Sequence, residues 1–226
     1  PSTKARLGGF SRAKASAREA ARQVQCQNHL KQIGLAMLQH LEAHEHFPTG
    51  GWGWSWAGGD PDRGFGLKQY GGWIYNILPY LEQGSLHDLA AGGTDEEKFA
   101  AAGQRNTTPL AVLHCPSRRR AIAYPNPYKD EWRHIAADRM DVNARTDYCA
   151  HATARNTGTS AQKANNEPHS VEAGDAGFEW PDFSDHDGII FVRSMVRASS
   201  IRDGLSNTYL VGEKYLTPDN YLNGLD

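Results

Sequence analysis

The stretch Cys26-Gln-Asn-His-Leu-Lys-Gln-Ile-Gly-Leu-Ala-Met-Leu-Gln-His40, running on to Phe47-Pro48, decides how the rest of this 226-residue chain is read. Cys26, Leu30, Ile33, Met37 and Leu41 recur at three- and four-residue steps. That spacing lays them along one stripe of a 3.6-residue helix and demands a body for the stripe to pack against. Pro48 is expected to stop the helix, because it brings no amide hydrogen. Upstream, Ser11 to Gln23 continues in good helix formers, Ala13, Ala15, Ala17, Arg18, Glu19, Ala20, Ala21 and Arg22, but offers no apolar stripe. The expectation is one long helix whose C-terminal part is packed and whose N-terminal part projects. Residues 1–23 then form a basic helical stalk and residues 24–226 a single globular domain. A frayed terminal helix is the plainer alternative.

The chain is long enough to bury a sizeable core and suits one domain. Its formal net charge of −2 gives no global pull toward nucleic acid or an anionic membrane, and no nucleic-acid partner is expected. Charge is uneven locally, since Lys4, Arg6, Arg12, Lys14, Arg18 and Arg22 face only Glu19 before residue 23. Such a stalk suits an acidic partner surface or, more simply, solvent. No run approaches the roughly 18 consecutive apolar residues of a membrane helix, so no membrane span is expected.

After Pro48 the sequence turns to Gly50-Gly-Trp-Gly-Trp-Ser-Trp-Ala-Gly-Gly59, which no regular helix accommodates. Trp52, Trp54 and Trp56 need surface to cover them, so the segment is expected to wrap the domain or form an irregular hairpin; stacking on a carbohydrate is the functional alternative. Trp73 to Leu81 reads as a short helix. Asp95 to Arg105 reads as another, capped by Thr94 and anchored by Phe99. Leu110 to Cys115 is expected as a strand ended by Pro116, with Arg118-Arg-Arg120 as a solvated turn. Tyr124 to Asn143 and Ala152 to Gly177 read as long mobile inserts on one surface, around a strand at Tyr148. Gly188 to Val192, Ser199 to Ile201 and Thr208 to Val211 are expected to complete a sheet. The order argues an α+β fold, a long N-terminal helix on a mainly antiparallel sheet with long loop insertions.

Five motifs carry a family resemblance: Ala17-Arg-Glu-Ala-Ala-Arg22 with Cys26-Gln-Asn-His-Leu-Lys-Gln-Ile-Gly-Leu-Ala36, Gly72-Trp-Ile-Tyr-Asn-Ile-Leu-Pro-Tyr-Leu-Glu-Gln-Gly84, Leu113-His-Cys-Pro-Ser-Arg118, Thr146-Asp-Tyr148 and Ser200-Ile-Arg-Asp-Gly-Leu-Ser-Asn-Thr-Tyr-Leu-Val-Gly-Glu213. In this order they resemble a planctomycete-rich bacterial family of unknown function with a prepilin-type N-terminus, also labelled solute-binding. The resemblance implies a pilin-like or pseudopilin-like fold and a non-enzymatic, exported subunit of a cell-surface or secretion-related assembly. Homo-oligomers or filaments are the implied partners. In that reading Arg12, Lys14, Arg18 and Arg22 belong to the assembly helix. The alternative is an extracytoplasmic solute- or carbohydrate-binding module using Trp52, Trp54 and Trp56. Export further implies a disulfide between Cys26 and Cys115, which sit in two of the motifs, leaving Cys149 as a buried thiol or alternative partner. The chain departs from the family where Gly9-Phe10 is followed by Ser11-Arg-Ala-Lys14 rather than by a glutamate-bearing apolar run. The family's terminal His, nine residues and Asp-Gly are also not found. A processed or truncated piece, or a divergent member, is expected.

Other chemistry is weaker. His40 and His44 lie four apart on one helix face, with His46 close by, yet no Glu stands between them as a His-Glu-x-x-His zinc site requires. A solvated helix end, its dipole favouring protonated imidazole, is the simpler reading. Asp182, Asp185, His186 and Asp187 form one acidic knot, and Asp203, Ser206 and Asn207 another. Asp187, Asp203 and Asn207 are candidates for a loop calcium ion, although turn and capping use explains them without one. An enzyme would need a pocket gathering His186, Asp187 or His44 with a metal. No catalytic residue and no required cofactor is expected.

Overall fold

The structure is a computed structural model; it describes residues 3–127, 135–152 and 166–222, with side chains along the first helix described from Lys14 onward. Helix α1 runs over Thr3–His44, 42 residues, or about 63 Å at 1.5 Å per residue. It ends before Pro48, because Glu45 takes a left-handed φ of 64°. The Glu45 amide, which donates to the Leu41 carbonyl at 2.8 Å, closes the last turn. The stripe read from the sequence is the buried one: Cys26, Ile33 and Met37 are buried, joined by Ala36 and His40, with Leu30 and Leu41 half-buried beside them.

Helix α2 (Trp73–Ile77) continues as a 3-10 turn over Leu78–Leu81 and lies against α1. Helix α3 (Gly84–His87) follows, then α4 (Asp95–Thr107). Thr94 caps α4 in a full capping box: its hydroxyl accepts from the Glu97 amide and the Glu97 carboxylate accepts from the Thr94 amide. Strands β1 (Tyr124–Pro125) and β2 (Val142–Asn143) make one antiparallel ribbon. Strands β3 (Tyr148–Ala150) and β4 (Val211–Glu213) make another, with Tyr148 opposite Glu213. Helix α5 (Val171–Asp175) lies between β3 and β4 in sequence.

The α+β class holds, with α1 packed against α2 and β4, but several expected strands do not form. Leu110 to Cys115 instead makes a 3-10 turn over Ala111–Leu113, its amides bonding three residues back (Leu113 to Leu110, His114 to Ala111). Among the described residues, Gly188 to Val192 has no ladder partner. Ile189 and Ile190 are both buried, so the run does not alternate, and their amides share the His151 carbonyl. Ser199 to Ile201 falls in a 3-10 turn over Ala198–Ser200, and the last strand starts only at Val211.

Two apolar clusters fill the domain. The larger joins α1 to Phe47, Ile77, Leu113, Cys115, Tyr148, Ile189 and Ile190. The smaller gathers Trp52, Trp56, Tyr70 and Ala136, with Phe99 and Trp180 at its edge. Residues 128–134 and 153–165 of the two long inserts lie outside the described residues. The flanks that are described are built into the domain: Tyr124 and Asn143 pair across β1 and β2, and both Glu167 carboxylate oxygens accept from the Ser55 amide at 3.1 Å.

Candidate functional site

The motifs meet at one place, the seat of α1. Cys26 and Cys115 form a disulfide. Next to it the Tyr148 hydroxyl donates to the Cys26 carbonyl at 3.3 Å, and His29 Nδ1–H donates to the His114 carbonyl at 2.9 Å. Asp147, fully buried, accepts the Cys115 amide on Oδ2 at 2.7 Å and stands 2.6 Å from Arg119 Nε on Oδ1. That second contact lies off the N–H axis, so it is ionic rather than a directed hydrogen bond. Arg119 also donates to the carbonyls of Tyr221 and Thr146, and Arg118 reaches Glu213 at 2.7 Å. The expected solvated arginine turn is thus a clamp: Arg118 and Arg119 tie the Cys115 segment to β3 and β4 because buried Asp147 and the rim carboxylate of Glu213 stand where they point.

The Gly72 to Gly84 motif completes the seat. Asn76, fully buried, donates from Nδ2 to the Gly71 and Gly72 carbonyls, both at 2.9 Å, which fixes the entry into α2. Trp73, Ile74, Tyr80 and Leu81 then pack on the α1 cluster. At the C-terminal end of α1, His40 is fully buried, its Nδ1–H donating to the His46 carbonyl at 3.0 Å. Burial pushes its pKa down to about 3, so the ring is neutral. The Tyr80 hydroxyl and His44 Nε2 share a hydrogen bond at 2.8 Å, and the His44 ring stacks on Phe65 at 4.0 Å. The solvated histidine end expected from the sequence is therefore a packed joint, since Phe65 and Tyr80 close over it.

Above the seat, α1 projects. Lys14 to Gln25 are exposed except for half-buried Glu19, whose carboxyl is held below its ordinary pKa by the Ser117 hydroxyl and the Arg22 guanidinium. Lys14, Arg18 and Arg22 recur every four residues and share one exposed face; the Arg12 side chain lies outside the described ones. Val24, Leu35 and Leu38 are 54, 61 and 42% exposed. At 100° per residue they fall, with Ala17 and Ala20, on the face opposite the buried stripe.

The other candidate residues have different roles. Trp52 is 1% exposed and Trp56 5%. They meet edge-on at 4.9 Å, the Trp52 indole N–H donates to the Leu67 carbonyl, and the Arg63 guanidinium sits 5.0 Å over the Trp52 ring. Only Trp54 of the three is exposed, so they cannot act together as a stacking platform. Among the described residues, the one group of His, Cys, Asp or Glu ligand atoms close enough to share an ion is Cys26, Cys115 and Glu213, and its cysteines are spent in the disulfide. Asp187 and Asp203 belong to no such group. Asn207 Nδ2 donates to the Asp203 carbonyl, and Asp182 accepts from Ser184, which is turn chemistry. His186 contacts Asp185 at 3.0 Å and packs against Phe183 and Phe191. Cys149 is an exposed free thiol rather than a buried one.

Residues 15–224 match the family model described as a protein of unknown function (DUF1559), which also carries a solute-binding label. The chain belongs to that family. No curated protein and no solved structure matches it. In this DUF1559 chain the sequence reading missed the Asp147–Arg119 pair, although Thr146-Asp-Tyr148 and the arginine run were both visible. Neither signal says alone that one is folded onto the other.

Proposed function

We propose that this protein is a non-enzymatic structural subunit of an exported, pilin-like assembly, held to its neighbours through the projecting part of α1. One observation carries the reading: the family-like motifs converge on the seat of one long helix. The disulfide, the Tyr148 and His29 contacts, the Asp147–Arg119 clamp and the Asn76-fixed α2 all hold α1 from Cys26 on. Lys14 to Gln25 before it are left largely exposed, and Val24, Leu35 and Leu38 continue an exposed apolar face along the side of the seated part that faces away from the core. A helix so firmly rooted and so little covered is suited to burying its free face against copies of itself. The basic face at Lys14, Arg18 and Arg22 sets the orientation of approach more than the affinity. The disulfide fits an oxidising, extracytoplasmic setting, and among the described residues no helix is long and apolar enough to cross a membrane.

Deletion of residues 1–22 is expected to leave a folded domain that no longer self-associates, measured by sedimentation over a wide concentration range. Full-length protein that stays monomeric throughout, with amides of Lys14 to Gln25 strongly protected from hydrogen exchange, contradicts the reading. The solute-binding alternative loses its sequence-expected site, because Trp52 and Trp56 are core.

A further inference from the structure

A cavity of 290 Å³ lies between α2, the end of α4 and the segment that leads into β3, at the small end of the ~300–1,000 Å³ range of small-molecule sites. Its walls are mostly apolar, with Trp73, Ile74, Leu86 and Leu110 among them. Its polar lining is one-sided. Arg105, Asn106 and Arg145 supply cationic or amide donors, and among the described residues no Asp or Glu lines the cavity.

Arg105 is the decisive group. It is 93% buried, being 7% exposed, and among the described residues no carboxylate stands within ion-pairing distance. Its guanidinium donates to two neutral acceptors, the Leu89 carbonyl at 3.2 Å and the Gly59 carbonyl at 2.5 Å, while its buried Nε has no partner. Tyr75 lies beneath it, 5.3 Å to the ring centroid. The Asn106 amide nitrogen, the next residue along, is also buried without a partner. Buried charges in proteins are ordinarily paired, and an orphaned buried donor costs about 1–3 kcal/mol. A buried guanidinium that meets no carboxylate among the described residues, set in the wall of a mostly apolar cavity beside an asparagine, is a complement to a small anion with an apolar body.

We propose that this cavity binds a small monocarboxylate with an alkyl or aryl body, the carboxylate taken by Arg105 and Asn106 and the body by Trp73, Ile74, Leu86 and Leu110. The site is separate from the exposed face of α1, so it stands whether or not the chain assembles. Because the anion neutralises a charge already buried, the acid form of a ligand is preferred over its neutral amide even though the two have nearly the same shape.

The test is calorimetric titration of the 226-residue chain with 3-phenylpropionate and hexanoate beside 3-phenylpropanamide and hexanamide. One carboxylate per chain is expected to bind, with each amide at least about tenfold weaker. Leu86→Trp, which fills the cavity from its wall, is expected to abolish binding in a protein whose circular dichroism is unchanged. Asn106→Leu is expected to weaken the acids by about tenfold and the amides hardly at all. Equal affinity for acids and amides, an unchanged Kd in a folded Leu86→Trp variant, or no saturable binding of either acid at millimolar concentration overturns the proposal. Should Asn106→Leu fail to fold, the amide comparison and Leu86→Trp still decide the matter.

Discussion

His40 shows how one residue sets a condition on the whole seat. Its ring is sealed among His44, His46, Phe65 and Tyr80, and burial lowers its folded pKa to about 3 from an ordinary 6.5. The unfolded chain therefore takes up a proton that the folded chain refuses. Stability is full above about pH 6.5 and falls as the pH drops toward 3, by roughly 2 kcal/mol already at pH 5. His44 and His114, whose pKa values burial also lowers, add to the loss in the same direction. Urea midpoints between pH 7 and pH 5 should fall accordingly. In His40→Phe that slope should flatten, even if the variant is weaker at pH 7 for want of a donor to the His46 carbonyl. Asp147 makes a second residue-level point. Arg119→Met leaves a fully buried carboxylate without its cation, and a loss of about 3–5 kcal/mol is expected in chemical denaturation. A loss below about 1 kcal/mol would show that the pair is ornamental.

At the scale of elements, α1 depends on a covalent link and on how it ends. The disulfide closes a loop of 89 residues, and chain-entropy arguments give such a loop about 4–5 kcal/mol. Replacing Cys26 and Cys115 together by Ala should lower the unfolding free energy by an amount of that order, measured against the oxidised parent without reductant. The helix terminus carries a smaller, opposite opportunity. Glu45 holds a left-handed φ of 64°, a conformation that costs a side-chain-bearing residue about 1–2 kcal/mol and glycine almost nothing. Glu45→Gly should therefore be neutral or raise stability by up to about 1 kcal/mol, visible as a higher melting temperature. A drop of more than that would assign Glu45 a contact beyond its backbone. In the neighbouring loop glycine is required: at Gly51, φ is 80° and a side chain would meet the Tyr70 carbonyl at 2.4 Å.

For the whole molecule, the contrast is between a helix gripped from Cys26 on and largely exposed from Lys14 to Gln25. Amide exchange should divide at about Cys26. Ile33 to Leu41 are expected to exchange only through global opening, and Lys14 to Gln25 through local fraying in the isolated chain. In an assembled state the second group should slow by orders of magnitude. Charging the free face, as in Leu35→Glu with Leu38→Glu, should block association without lowering the melting temperature, because both side chains are exposed in the monomer. Association unchanged in that double variant would move the assembly contact elsewhere.

Much of this was legible in the chain because it rests on local rules. The three- and four-residue spacing from Cys26 to Leu41 fixes a helix and its buried face whatever the rest does. Thr94 with Glu97 fixes the start of α4, and the alanine- and arginine-rich stretch from Lys14 to Arg22 leaves that part of α1 largely exposed. Motif resemblance was enough to imply the Cys26–Cys115 pairing. What sequence could not settle depends on which distant segments meet. Leu110 to Cys115 has strand-like composition, but its amides bond three residues back in a 3-10 turn instead of joining a ladder. Trp52 and Trp56 look equally suited to a ligand or a core until Tyr70, Ala136 and Trp180 close on them. Arg119 reads as solvated until Asp147 is found under it. Local propensity is short-ranged and written in consecutive residues. Burial and charge pairing are decided by residues tens of positions apart, which only the tertiary structure brings together.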